Sequence, residues 1–137
     1  MTTVTIQIET RQVIGYLQSA PHRIDRAMRA AMEDSTVLLL REMRVYPPQR
    51  PGSTYKRTQT LKRSWFRLPV RTANGTIEGG VVSSGDTAPY NRRVQDQEQQ
   101  AEIHRGRWTN TAQEVQRRNQ ATIQRYFDRR LREEFGR

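Results

Sequence analysis

Few side chains in this chain could bind a metal or act as a general base. Two histidines, His22 and His104, stand far apart in 137 residues, and cysteine is absent. A zinc site needs three or four ligands in close order, so no metal centre, no thiolate chemistry and no cofactor are expected. Glu102 and His104 form one acid–imidazole pair at short range. On a strand such i, i+2 side chains share a face and could work as a general base pair. A solvated acid beside a histidine that bonds a neighbour is the simpler reading. Ser64, Ser83 and Ser84 have no histidine in a recognised nucleophile arrangement. The run "EGG" belongs to a hairpin, not to a loop that cradles phosphate. The sequence carries no enzyme signature.

The stretch "VYPPQRPGSTYKRTQTLKRSW", residues 45–65, is more distinctive. Arg50, Lys56, Arg57, Lys62 and Arg63 meet no acid there, and Tyr46, Tyr55 and Trp65 are interleaved with them. The formal net charge is +10, and Lys56 and Lys62 are the only lysines among 24 basic residues. A GC-rich genome alone would give such an arginine bias. The guanidinium fork also binds two oxygens of a carboxylate or phosphate at once. Positive charge supports non-specific attraction to nucleic acid or to an acidic protein. Single-strand binders stack bases on exposed aromatics in a basic groove. Tyr46 and Tyr55, beside prolines and glycine, are expected to be exposed. One of Trp65 and Phe66 must enter the core, and Trp108 after "HRGR" reads as a core anchor.

The elements that position these residues follow from periodicity. Val4, Ile6 and Ile8 alternate with Thr5 and Gln7, which predicts a short strand. "TRQVIGYLQS" predicts one or two helical turns, and Pro21 suits a helix start. Ile24, Ala27, Met28, Ala31, Met32, Leu38, Leu39 and Met43 form one stripe, so residues 23–44 read as a helix. "YPP" ends it. The proline-bearing segment 46–58 reads as an extended arm, and "TQTLKRS" as a helical turn. Residues 65–83 read as a hairpin turning at Asn74–Gly75, with Pro69 marking an edge or a bulge. A short helix near "YNRRVQ" and a strand at Ala101–His104 come next. Thr111 and Glu114 have capping-box spacing. Ala112, Val115, Ile123, Tyr126, Phe127 and Leu131 then form a stripe through a last helix over 111–133, surrounded by arginines. The expected fold is α+β, one domain over 1–137: two long helices on a small, mostly antiparallel sheet, with the arm outside.

This order of features resembles the tail-completion and head–tail connector (neck) proteins of tailed double-stranded DNA bacteriophages, a family of minor tail components. Arg57, Thr58, Leu61 and Ser64, leading into Trp65, match the family's segment before its first long strand, with Gln59 where glycine is usual. Tyr90, Val94, His104 and Trp108 match a second stretch, with Asn91 where alanine is usual. The resemblance implies a virion structural protein that forms an oligomeric ring around the DNA channel at the neck. It also implies an assembly arm at Tyr46, Pro47, Pro48, Arg50, Pro51 and Tyr55. Lys56, Arg57, Lys62 and Arg63 would face DNA or an acidic partner.

Only 34% of the residues are hydrophobic, against about 45–50% counted with glycine in typical domains. A ring subunit that completes its packing against neighbours tolerates a thin core. A globule of this length has a diameter of roughly 36 Å. Six in a closed cycle leave a hole of ~36 Å, which passes a duplex roughly 20 Å wide, whereas four leave ~15 Å. The expected partners are therefore further copies, a hexamer for preference, with adjacent neck, portal-side or tail-tube proteins and non-specific double-stranded DNA in the lumen. No run of about 18 apolar residues occurs, so no membrane partner is expected. The opening "MTTVTIQIET" lacks a cationic start before an apolar core, so no secretory signal is expected. The virion, reached from the host cytoplasm during assembly, is the expected location. A tail terminator ring is the sibling reading. A small basic nucleic-acid-binding protein, docking its arginine-rich last helix on phosphate, is the rival from another class. A ribonuclease using His104 is a third.

Overall fold

The computed structural model describes residues 2–9, 21–46, 48, 51–52, 60–89 and 111–136. Strand β1 (Thr3–Glu9), helix α1 (Pro21–Met43), the short helix α2 (Thr60–Ser64), strands β2 (Trp65–Ala73) and β3 (Thr76–Ser83), and helix α3 (Ala112–Phe135) follow in that order. The fold is α+β. Its three strands are antiparallel in the order β1-β3-β2. The expected helical turns in 10–20, the helix near Tyr90 and the strand at Ala101–His104 lie outside the described residues.

Pro21 opens α1, where its missing N–H would have had no partner in any case. The predicted stripe from Ile24 to Met43 is buried, and Ser35 and Thr36 are buried with it. Their hydroxyls bond inside the helix, Ser35 Oγ donating to the Ala31 carbonyl at 2.7 Å and Thr36 Oγ1 to that of Glu33 at 3.0 Å. Two polar groups therefore enter the core without an unmet donor.

The hairpin turns at Asn74 and Gly75, with φ of 52° and 76°. Both values are positive, as a type I′ turn demands, and its twist suits the flanking strands. Leu68 pairs with Gly80 and Arg71 with Glu78, so Pro69 and Val70 together oppose the single residue Gly79. This bulge exchanges the faces of β2. Before it, Trp65 and Arg67 lie on the helix side; beyond it, Val70 and Thr72 do. Proline cannot donate to a ladder, and it is tolerated here because β2 is an outer strand of the described sheet.

Both long helices cover one face of the sheet. Helix α1 lies over β2 and β3, and α3 runs alongside α1 and reaches β1. Val4, Leu39, Met43, Trp65, Val81, Ala112 and Val115 pack at one end of the core. Ile24, Met28, Ala31, Met32, Ile77 and Phe127 pack at the other. Trp65 is the aromatic that enters, while Phe66 stays 46% exposed on the far face. Half of the predicted capping box forms. Thr111 Oγ1 accepts from the Glu114 amide at 3.3 Å, but the Glu114 carboxylate is held by Arg117 rather than reaching back. The Gly136 amide bonds the Arg132 carbonyl at 2.9 Å in the left-handed conformation that closes α3.

Candidate assembly interface

The described elements give the domain two unlike poles. At one, the chain turns tightly at Asn74–Gly75, near the start of α1 and the end of α3. The other gathers the end of α1, the start of β2, the end of β3 and the start of α3. Described residues that flank 47–59 and 90–110 (Tyr46, Leu61, Ala88 and Ala112) lie at this second pole. Tyr46 is half-buried there and packs against buried Leu61 and Ala88. Its hydroxyl accepts the Lys62 amide at 3.0 Å. Residues on either side of the 47–59 segment are thereby pinned together. The expectation of an exposed Tyr46 is corrected: its ring closes the base of the arm, since a large apolar body with one polar tip gains by covering Leu61.

Serines complete this base. Ser64 Oγ donates to the Leu61 carbonyl at 2.6 Å and shares a hydrogen with Ser83 Oγ at 2.9 Å. The Ser84 amide donates to the Ser64 carbonyl at 2.9 Å, and Ser84 Oγ accepts the Thr87 amide at 3.3 Å. These hydroxyls join the α2 turn to the 84–88 turn. Arg44 Nη2 donates to the Trp65 carbonyl at 2.9 Å. Arg44 Nε and the Trp65 indole N–H are buried without an acceptor among the described residues.

Of the matched residues, the structure brings Leu61 against Tyr46, ties Ser64 to the Leu61 carbonyl and puts Trp65 in the core. Lys62 and Arg63 point outward from α2, and Pro48 and Pro51 are exposed. Pro47, Arg50, Tyr55, Lys56, Arg57, Thr58, Tyr90, Val94, His104 and Trp108 lie outside the described residues. Ala88 and Ser83 were missed as parts of the base. A lone alanine in a polar turn and a serine at a strand end carry no periodic signal.

A second missed feature is the clasp between α1 and α3. The helices are antiparallel, and among the described residues five ion pairs, centred on three acids, cross between them. Glu134 takes Arg26 at 2.7 Å and Arg23 at 3.4 Å. Asp34 takes Arg130 at 2.8 Å and Arg129 at 3.1 Å. Glu42 takes Arg118 at 2.9 Å. The Arg130 guanidinium, bound in a fork, holds the Asp34 carboxyl below the usual carboxylate range, with Arg129 adding to it. Arg26, helped by Arg23, does the same for Glu134.

These depressed carboxyl groups fix a pH response. Their folded forms release protons more readily than the unfolded chain does. The stability they add is therefore complete above the unfolded value, about pH 4, and is lost as pH falls further through the folded values. Melting temperature should hold steady from pH 7 to about 5 and drop below about 4. Asp34→Asn should cost about 1 kcal/mol at neutral pH, since the pair is partly solvated, and should flatten the acid limb. Thermal melts of both proteins across that range check this; an unchanged acid limb in Asp34→Asn would remove Asp34 from the account.

Among the described residues no group of three or more His, Asp or Glu side chains could hold a metal ion, and no helix is long and apolar enough to cross a membrane. No family model matches the chain, and no curated protein or solved structure is significantly similar to it.

Proposed function

We propose that this chain is a virion structural protein of a tailed bacteriophage, a ring subunit at the neck or tail top that joins tail to head around the DNA channel. The observation that carries the reading is the pinned base of the 47–59 segment. Tyr46 and Lys62 are tied across 16 positions, and Leu61 and Ser64, described residues of the matched motif, help to build the tie. A connection of about a dozen residues held so firmly at its root is an interaction loop more often than a linker.

Charge points the same way. Nine cations (Arg11, Arg50, Lys56, Arg57, Arg92, Arg93, Arg105, Arg107 and Arg137) stand outside the described residues against three acids, Asp96, Glu98 and Glu102. The described residues thus carry only four of the ten surplus charges. In the rival reading the arginines of α3 dock on phosphate. Arg117, Arg118, Arg129 and Arg130 instead hold acids of their own chain. A phosphate would have to displace those partners, which favours the structural reading over the nucleic-acid one.

Deleting Pro47–Thr54 tests the proposal. The variant should keep its circular dichroism and its melting temperature, because the deletion spares Tyr46, Leu61 and Ala88. It should fail to enter phage particles. Infectious particles built with the deleted protein would overturn the proposal. Duplex binding by the isolated wild-type chain should be weak, blind to sequence and steeply lowered by salt, as counterion release requires. Tight or sequence-selective binding would favour the nucleic-acid reading instead.

A further inference from the structure

We infer that α3 is a salt-releasable clasp: the helix undocks as a unit from α1 and the sheet while those remain folded. Its seat is apolar over only a small part of its length. Of 24 residues, Ala112, Val115, Asn119 and Phe127 are buried, whereas α1 buries ten of 23. Asn119 spends its side-chain N–H on the Val115 carbonyl at 2.8 Å, within the same helix. Ile123, Leu131 and Phe135 pack only partly.

Ion pairs supply the rest of the attachment. They stand near both ends of α3 and in between: Arg118 on Glu42, Arg129 and Arg130 on Asp34, Glu134 on Arg26 and Arg23. The acids are sheltered, 19–25% exposed, but the arginines are 35–69% exposed and open to screening by ions. Arg23 also lies over the Phe135 ring at 4.7 Å, so a cation secures the last turn as well.

The undocked helix keeps its own supports. Glu114 holds Arg117, and Glu133 lies within reach of both Arg129 and Arg130, all at i, i+3 or i+4 spacing. Thr111 caps its start and Gly136 its end. Glu133 is a ready second partner for the two arginines that leave Asp34. What α3 leaves behind keeps contacts of its own. The ladders of β3 with β1 and β2 do not involve α3, and α1 packs on β2 and β3 directly.

Salt separates this from an apolar seat by sign. The screening length falls from about 30 Å at 0.01 M to about 3 Å at 1 M, so the clasp weakens as salt rises. Burial of apolar surface is not weakened by sodium chloride. The test is amide hydrogen exchange on the full chain at about 0.01 M and about 1 M sodium chloride. Protection across Val115–Leu131 should fall roughly tenfold at high salt while that across Thr76–Ser83 holds. Asp34→Asn should reproduce much of that loss at low salt and shrink the further response to salt. In a Trp108→Phe background Trp65 is the single tryptophan, and its emission should shift to the red as Ala112 and Val115 leave it. The inference is overturned if α3 protection is unchanged or rises with salt. A fall in step with β3 overturns it equally, because that is global unfolding.

Discussion

Gly80→Ala should cost this protein most of its stability. A β-carbon at Gly80 would run into the Val4 carbonyl oxygen and lie 2.9 Å from the Thr5 α-carbon. Both are backbone atoms of the neighbouring strand, which cannot turn aside without breaking the β1–β3 ladder. Overpacking a core costs about 1–3 kcal/mol where side chains can adjust, and more where they cannot. Domains hold only about 5–15 kcal/mol in total. The expected result is a melting temperature lowered by roughly 10 °C or more, or failure to fold. Two neighbours serve as controls. A methyl at Gly79 would meet Met32 Cγ at 2.6 Å, the middle of a flexible side chain that can move, so Gly79→Ala should be milder. Nothing lies within 4 Å of the corresponding position at Gly85, so Gly85→Ala should be neutral or slightly stabilising. Melts of the three variants check the order. A Gly80→Ala protein as stable as Gly85→Ala would mean that β1 does not pair where it is described.

Trp65→Ala is the second large loss, about 3–5 kcal/mol. The ring is fully buried among Leu39, Met43, Val81 and Val115, side chains from three elements. Removing it leaves a void at the pole where the arm is rooted. Trp65→Phe isolates the indole N–H from the ring volume. That N–H has no acceptor among the described residues, so its loss forfeits no hydrogen bond to them, and the phenylalanine should recover much of the stability. Denaturant melts of both variants measure this. If Trp65→Phe were as damaging as Trp65→Ala, the indole N–H would have a partner that the present account lacks.

The amino-acid sequence by itself determined the described local elements. Apolar stripes of period 3.6 set α1 and α3, alternation set β1, and Asn74–Gly75 set the hairpin, because backbone sterics and side-chain spacing act over a few residues. Pro69 even marked the bulge. It could not say that the bulge hands Val70 and Thr72 to the helix side, since that depends on which face α1 covers. The sequence also narrowed the core choice to Trp65 or Phe66. Pairing with Ser83 then put Trp65 inside. Tertiary structure alone decided the partners. The arginines of α3 read as a solvated or phosphate-seeking surface until Asp34 and Glu42 of α1 are brought against them from positions 76 to 96 residues away. The expected exposure of Tyr46 failed for the same reason. Its neighbours Pro47 and Pro48 suggest an open loop, but its packing partners Leu61 and Ala88 come from two later turns. Local propensity is a property of neighbouring residues; ion pairs and hydrogen bonds between distant segments exist only once the chain has closed on itself.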